Sequence, residues 1–379
     1  MTQTKFDELN KISLRYPEKT FFLGQVFNNT TNSYKLFWFL GLLNIIKSGN
    51  GTTFPLNDVF CEMVIAAWHP VCFYRLSLGR QDKLQDVILE IKHDSGLPPN
   101  AELTDIRKYL ESSNKVQIRL EDFSRYVPTR FLTPWFSSQL RGIQDDLRRT
   151  RQIELLATQS QNTPFACPYY FDSSAKNKSI KLNESWCAFI TENFGVIQSF
   201  AEYHLVHYLQ VKNPNTPGIV NKLQAPTERQ LTFAREFWRT VRADFINNSK
   251  AELFKDIYSE RPIGNTFSID HFLPWSFVAH DLLWNLTPVE KTTNSRKGDS
   301  IPDINLYLPR LAKLHRESIV AVKKRPRLLE DYTELFKQDV SGLMSLNEEA
   351  FISKYREIIV PQAQIAINQG FEGNWLFQN

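Results

Sequence analysis

The chain has 379 residues, with 45 Lys and Arg against 41 Asp and Glu, for a net charge of +4. At 42% hydrophobic, 23% charged and 13% aromatic residues it reads as an ordinary globular chain, long enough for one or two real cores. That excludes wholesale disorder, collagen and coiled-coil classes, and a general nucleic-acid coat, which would be far more basic.

Met1 to Thr20 mixes charges throughout and has no apolar stretch, so no signal peptide is expected. The most apolar run, Leu36 to Ile46, is about half the length needed to cross a bilayer and carries Asn44. It reads as part of a buried helix over Tyr34–Ser48, with Thr31, Asn32 and Ser33 as N-cap oxygens and Gly49 as the stop. No membrane segment is expected, and the chain reads as soluble and cytoplasmic. Further helices are expected at Leu56–Ala67, Lys83–His93 and Leu103–Ser112. Cys61, Cys72, Cys167 and Cys187 form no Cys-x-x-Cys pair; they read as reduced, buried thiols rather than a zinc site or disulfide scaffold.

Arg141, Arg148, Arg149 and Arg151 form a basic cluster that can extend a groove, while Arg148 and Arg151 can equally pair with Asp145, Asp146 and Glu154 along one helix. Phe165–Phe171 and Ser179–Leu182 flank a polar turn, which predicts a short β-hairpin near 164–182. A helical pattern over Glu184–Val211 carries His204 and His207, read as packing or surface residues because no third ligand lies nearby. Asn213-Pro-Asn-Thr-Pro-Gly218 is the clearest breaker, dividing the chain into residues 1–215 and 216–379. Helices follow at about Thr227–Asn247, Leu306–His315, Leu328–Gln338 and Asn347–Asn368. The fold class is therefore mainly α: a helical N-terminal domain, and a C-terminal helical domain with a small β insertion at 262–302.

That insertion carries the chemistry. Thr266–Ile269 reads as a short strand ending in Asp270-His271, an adjacent acid and imidazole. A loop with Pro274 leads to a second strand, Leu286–Val289, and a short helix, Glu290–Lys297, ended by Gly298. In such a strand–loop–strand–helix unit the strand end and one helix face look at each other. Asp270 and Asn294 can then aim oxygens at one cation, while His271 points to the other side of the strand. Two oxygen donors with room for water suit Mg2+, or Mn2+, better than zinc. A free imidazole nearby can take a proton from water, and Lys297, one turn beyond Asn294, can reach a phosphate.

Asp270-His271, Pro274, Asn285, Asn294, Lys297 and Pro302 resemble the HNH, or ββα-metal, nuclease family. Asn285 follows His271 by 14 positions and Asn294 follows Asn285 by nine, spacings similar to those of the HNH module of RNA-guided CRISPR effector nucleases. The resemblance implies that His271 is the general base and that Asp270 and Asn294 hold the divalent metal. It further implies that Asn285 braces the loop and orients His271, and that Lys297 contacts phosphate. Two departures stand out: the structural Cys-x-x-Cys pairs of many members are absent here, and the last position, often His, is Asn294, which favours magnesium.

His280 reads as a solvated loop histidine, and Trp275 and Trp284 as pins for the loop. Arg296 and the run Lys323, Lys324, Arg325, Pro326, Arg327 read equally as a solvated face and as phosphate contacts. The expected activity is metal-dependent hydrolysis of DNA, by nicking, since one module has one metal and one base. The layout resembles bacterial HNH endonucleases of phage-defence and restriction loci, some acting beside partner proteins as in type II Zorya systems. Two alternatives stand beside it: a subunit of a co-encoded defence complex that is silent until partner or target binds, and an RNA-cleaving HNH nuclease.

Overall fold

The computed structural model describes residues 12, 14–49, 51–172, 178–226, 229 and 231–378. The stretch read for a signal peptide lies largely outside these residues, as do the polar hairpin turn at 173–177 and the start of the helix expected from Thr227. The structure is mainly α. It divides into two compact units: residues 1–214 with 222–226, and residues 215–221 with 227–379. The short return of 222–226 to the first unit is not visible in a division at a single breaker.

In the first unit, α1 (Tyr34–Ser48) buries Leu36, Phe37, Trp38, Phe39, Leu42, Leu43 and Ile45 and ends at Gly49 in the left-handed region, φ 66°. Ser33 sits at its N-cap without a side-chain capping bond. The Ser33 N–H instead donates to Asp82 Oδ2 at 2.8 Å. The helix packs on α2 (Leu56–Trp68), and Gly41 makes that approach possible: a Cβ there would stand 2.9 Å from the Val59 carbonyl oxygen. Helices α3 (Lys83–Ser95) and α4 (Leu103–Ser112) are amphipathic, as their apolar spacing predicts.

The hairpin forms from β2 (Tyr169–Asp172) and β3 (Ser179–Leu182), and a third strand, β1 (Thr53–Pro55), adds to its other edge. The β1 strand has three residues and no alternation to read, so its pairing of Phe54 with Ile180 is visible only in three dimensions. The arginine cluster does not pair along its helix α5 (Asp146–Ser160). Asp145 accepts the Arg148 N–H as N-cap, Asp146 pairs with Arg130, and Arg149 donates to the carbonyls of Leu140 and Ile143. His204, on α6 (Phe194–Lys212), packs its ring on Phe27 and Phe200. Burial pushes the thiols of Cys61 and Cys167 up to about 11 and of Cys72 to about 12, so all three are inert protonated side chains.

The second unit is a helical frame around a small sheet. Helix α7 (Thr232–Asn247) buries Ala234, Phe237, Trp238, Val241 and Phe245, an i, i+3, i+4 stripe. Strands β4 (Ser268–His271) and β5 (Leu286–Val289) pair antiparallel, with Asp270 opposite Thr287 and His271 opposite Leu286. Helix α8 (Lys291–Lys297) follows and packs against β4. Three further helices, α9 (Ile304–Ala321), α10 (Glu330–Phe336) and α11 (Glu348–Asn368), complete the frame, with α9 against α11.

One apolar core runs from Phe237 and Trp238 through Leu286 and Val289 to Tyr355 and Ile359. It holds β4, β5 and the loop between them in place. Backbone bonds from Ile301 N–H to Glu372, from Trp375 N–H to Ile301 and from Asp303 N–H to Trp375 latch residues 372–375 to the exit of the unit. Among the described residues no helix is long and apolar enough to cross a membrane.

Candidate active site

Successive strand residues face opposite ways, so β4 presents Asp270 to one side and His271 to the other. Asp270, 3% exposed, is held at both oxygens. Tyr258 Oη donates to Oδ2 at 2.7 Å, and Lys297 Nζ donates to Oδ1 at 3.2 Å and to the His271 carbonyl at 2.7 Å. Burial, and then the Asp270 carboxylate, push the Tyr258 phenol well above its ordinary value, so it remains a donor.

Lys297 is 1% exposed. This corrects the expectation that it reaches out to a phosphate. Thr293 and Lys297, four apart on α8, form the face turned inward, and the ammonium neutralises a buried carboxylate instead.

On the other side of the strand, His271 Nε2 lies 2.8 Å from Asp281 Oδ1. Its Nδ1 is buried and has no hydrogen-bond partner among the described residues. Burial pushes the imidazole below its ordinary value; the bond to Asp281 opposes that fall and the Arg229 charge adds to it. Burial thus favours the neutral imidazole, the form a proton acceptor needs.

Asn285 is fully buried and works as a clip. Its Oδ1 accepts the Leu273 N–H at 2.8 Å, its Nδ2 donates to the Leu273 carbonyl at 2.9 Å, and the Phe272 N–H donates to the Asn285 carbonyl at 2.8 Å. The start of the loop that follows His271 is thus fastened to the start of β5. Asn294, half-buried on α8, makes no side-chain hydrogen bond among the described residues, so its carboxamide is free for a ligand.

The donor chemistry of these two residues fits a hard divalent cation. Carboxylate and carboxamide oxygens are the ligands Mg2+ and Mn2+ prefer, and a carboxylate keeps lone pairs after one bond to each oxygen. Among the described residues no group of three or more His, Cys, Asp or Glu is gathered in one place.

Three residues of the site escape sequence reasoning. Asp281 meets His271 only because the loop folds back over ten positions. Tyr258 comes from a segment before the module and had no signal of its own. Asp256, fully buried, accepts the N–H groups of Tyr258 at 2.8 Å and Ser259 at 3.3 Å with Oδ1, and that of Glu290 at 3.0 Å with Oδ2. It thereby ties the 256–261 turn to the start of α8 and sets Tyr258 beneath Asp270.

The other residues expected from sequence are placed as follows. Trp284 is buried and pins the loop from inside, with its carbonyl accepting from Tyr355 Oη at 3.4 Å. Trp275 is half-buried with the Arg229 guanidinium 5.7 Å from its ring centre. His280 is half-buried beside the Trp284 ring.

Arg296 is exposed but donates to the Gln378 carbonyl at 2.8 Å, which turns it towards 377–378. Lys323, Lys324 and Arg325 are exposed, and Arg325 donates to Thr240 Oγ1 at 3.2 Å. Lys324 and Arg325 border an open groove of about 900 Å³ together with Arg235 and Arg239, one turn apart on α7, and the acids Glu236 and Asp244. None of these five cations is paired with an acid among the described residues. The α7 pair was not singled out from sequence, since its Arg residues are scattered among apolar positions that only helical periodicity sorts.

No curated protein and no solved structure matches the chain. The family model for HNH endonucleases matches residues 256–303, a span that begins at Asp256 and ends just past Pro302. The matched span lies within the C-terminal unit, which is in that stretch similar to HNH endonucleases, and helices outside the span frame it.

Proposed function

We propose that the chain is a metal-dependent endonuclease that hydrolyses DNA phosphodiester bonds one strand at a time, in the cytoplasm, in bacterial anti-phage defence or restriction. The observation that carries the reading is His271: a buried imidazole with one nitrogen held by Asp281 and the other, Nδ1, without a partner among the described residues. Asp270 and Asn294 are the residues that would hold the cation. When bound, it supplies positive charge that stabilises the crowded phosphate and the leaving oxygen.

The chain's own steps are simple. His271 Nδ1 takes a proton from water, the water oxygen bonds to phosphorus, and the bond to the leaving sugar oxygen breaks. Asn285 keeps the start of the loop after His271 in place. Lys297 balances the Asp270 carboxylate. The exposed Lys323, Lys324 and Arg325, with Arg235 and Arg239, offer unpaired cations for the phosphate backbone, and Arg296 extends them once freed from Gln378.

One observation favours a second reading, in which the nuclease is silent until a partner or its target binds. Asp270 and His271 are 3% exposed and Lys297 1%, so the centre is closed to a bulky substrate in this structure. The test is digestion of supercoiled plasmid with Mg2+ or Mn2+, alongside single-stranded DNA and structured RNA. Nicked plasmid is expected, with a fall of about 10²–10⁴-fold for His271→Ala. Undiminished cutting by that variant removes His271 as the base; cutting confined to RNA overturns the DNA assignment.

A further inference from the structure

Asp281 has no place in the chemistry so far, yet its carboxylate is the group that holds His271. An ionised carboxylate only accepts hydrogen bonds. The 2.8 Å contact from His271 Nε2 to Asp281 Oδ1 therefore requires the proton on Nε2, and in a neutral ring that puts the lone pair on Nδ1. Nδ1 is the atom that is buried and without a partner among the described residues. The two facts belong together: one nitrogen is spoken for by the protein, and the other is left as an acceptor for something the protein does not supply.

The loop that carries Asp281 is itself anchored on both sides. Before it, Ala279 adopts the left-handed conformation, φ 55°, and its carbonyl accepts from Asn221 Nδ2 at 3.2 Å. After it, the Leu283 N–H donates to Asp331 Oδ2 at 2.7 Å, and Trp284 is sunk in the core. Ala279 in that region carries strain that a glycine would avoid, so the turn is held by its surroundings rather than by local preference. Asp281, with its side chain 27% exposed, is thus presented to the imidazole from a fixed position at the margin of the site.

We propose that Asp281 is a positioning residue that fixes His271 as the Nε2–H tautomer, making Nδ1 the nitrogen that takes the proton from the attacking water. The proposal rests on the endonuclease reading for its catalytic meaning, but the tautomer itself is a property of the metal-free protein. A carboxylate behind a catalytic imidazole performs this service in unrelated hydrolases, where its loss costs up to about 10⁴-fold in kcat.

The experiment is long-range 1H–15N NMR of histidine-labelled, metal-free protein at pH 8, with plasmid nicking measured on the same samples. Wild type is expected to show His271 in the Nε2–H form. Asp281→Ala is expected to show a mixture of both forms, a kcat lower by about 10²–10⁴-fold and an unchanged KM, with Asp281→Glu recovering part of both signals. Finding His271 as Nδ1–H in wild type overturns the proposal without need of any variant. A rate loss in Asp281→Ala with the tautomer unmoved overturns it too and makes Asp281 a structural tie. Plasmid cutting undiminished in His271→Ala removes His271 as the base instead, and the spectrum still decides what Asp281 does.

Discussion

Replacing Lys297 by methionine keeps most of the side-chain stem and removes the ammonium from the Asp270 carboxylate. Both groups are almost wholly buried, at 1% and 3% exposure, and the ammonium also serves the His271 carbonyl. In Lys297→Met the carboxylate keeps only the Tyr258 hydroxyl. Leaving one partner of a buried pair uncompensated costs about 3–5 kcal/mol. Amide hydrogen exchange along β4 and β5, in the presence of a chelator, reads this loss in the second unit alone. Asp270→Asn on top of Lys297→Met removes the stranded charge and should return most of the stability, a coupling that a double-mutant cycle isolates. A divalent cation should likewise rescue the single variant, by about 2.7 kcal/mol at a hundred times its Kd. A loss below about 1 kcal/mol for Lys297→Met, or a double variant no better than the single one, refutes the assignment of this pair as the electrostatic hinge of the site.

Two further outcomes follow from the buried groups. His315, between Trp238 and Tyr332 in the core, is pushed by burial to about 3, against about 6.5 in an unfolded chain. The unfolded state therefore binds a proton that the folded state refuses, and stability falls as pH drops below about 6.5, by about 2 kcal/mol at pH 5. Urea unfolding at pH 8 and pH 5 should show that extra loss in wild type and not in His315→Gln; equal slopes in both would assign the acid sensitivity elsewhere. Asn285→Ala strands the N–H and the carbonyl of Leu273 in a dry interior, a cost of about 2–5 kcal/mol for two orphaned groups. Thermal unfolding measures it, and a loss under about 1 kcal/mol would mean that the loop is not held by this clip.

What could be read in advance was what short-range periodicity controls. The burial of α1 follows from an apolar run with no polar face, and β5 stands where Leu286–Val289 predicts it. Strand β4 is displaced two residues from the expected Thr266–Ile269, because its length is decided by pairing with β5 rather than by its own residues. That Asp270 and His271 face opposite ways needs only the alternation of a strand. The residues that finish the site were opaque for the opposite reason. Tyr258 and Asp256 reach it through a turn that doubles back, and Asp281 through a loop fixed by Asn221 and Asp331. Lys297 misled because lysine is almost always solvated; its burial depends on a carboxylate 27 positions away.

The latch formed by residues 372–375 against Ile301 and Asp303 has a bearing on how the molecule is made. A ribosome delivers the ββα segment well before those residues, which emerge only after α9, α10 and α11. A nascent chain therefore holds an unfastened ββα segment whose frame is still missing, and the core around it is complete only when α11 and the latch arrive. Synthesis itself separates the making of the candidate site from its completion.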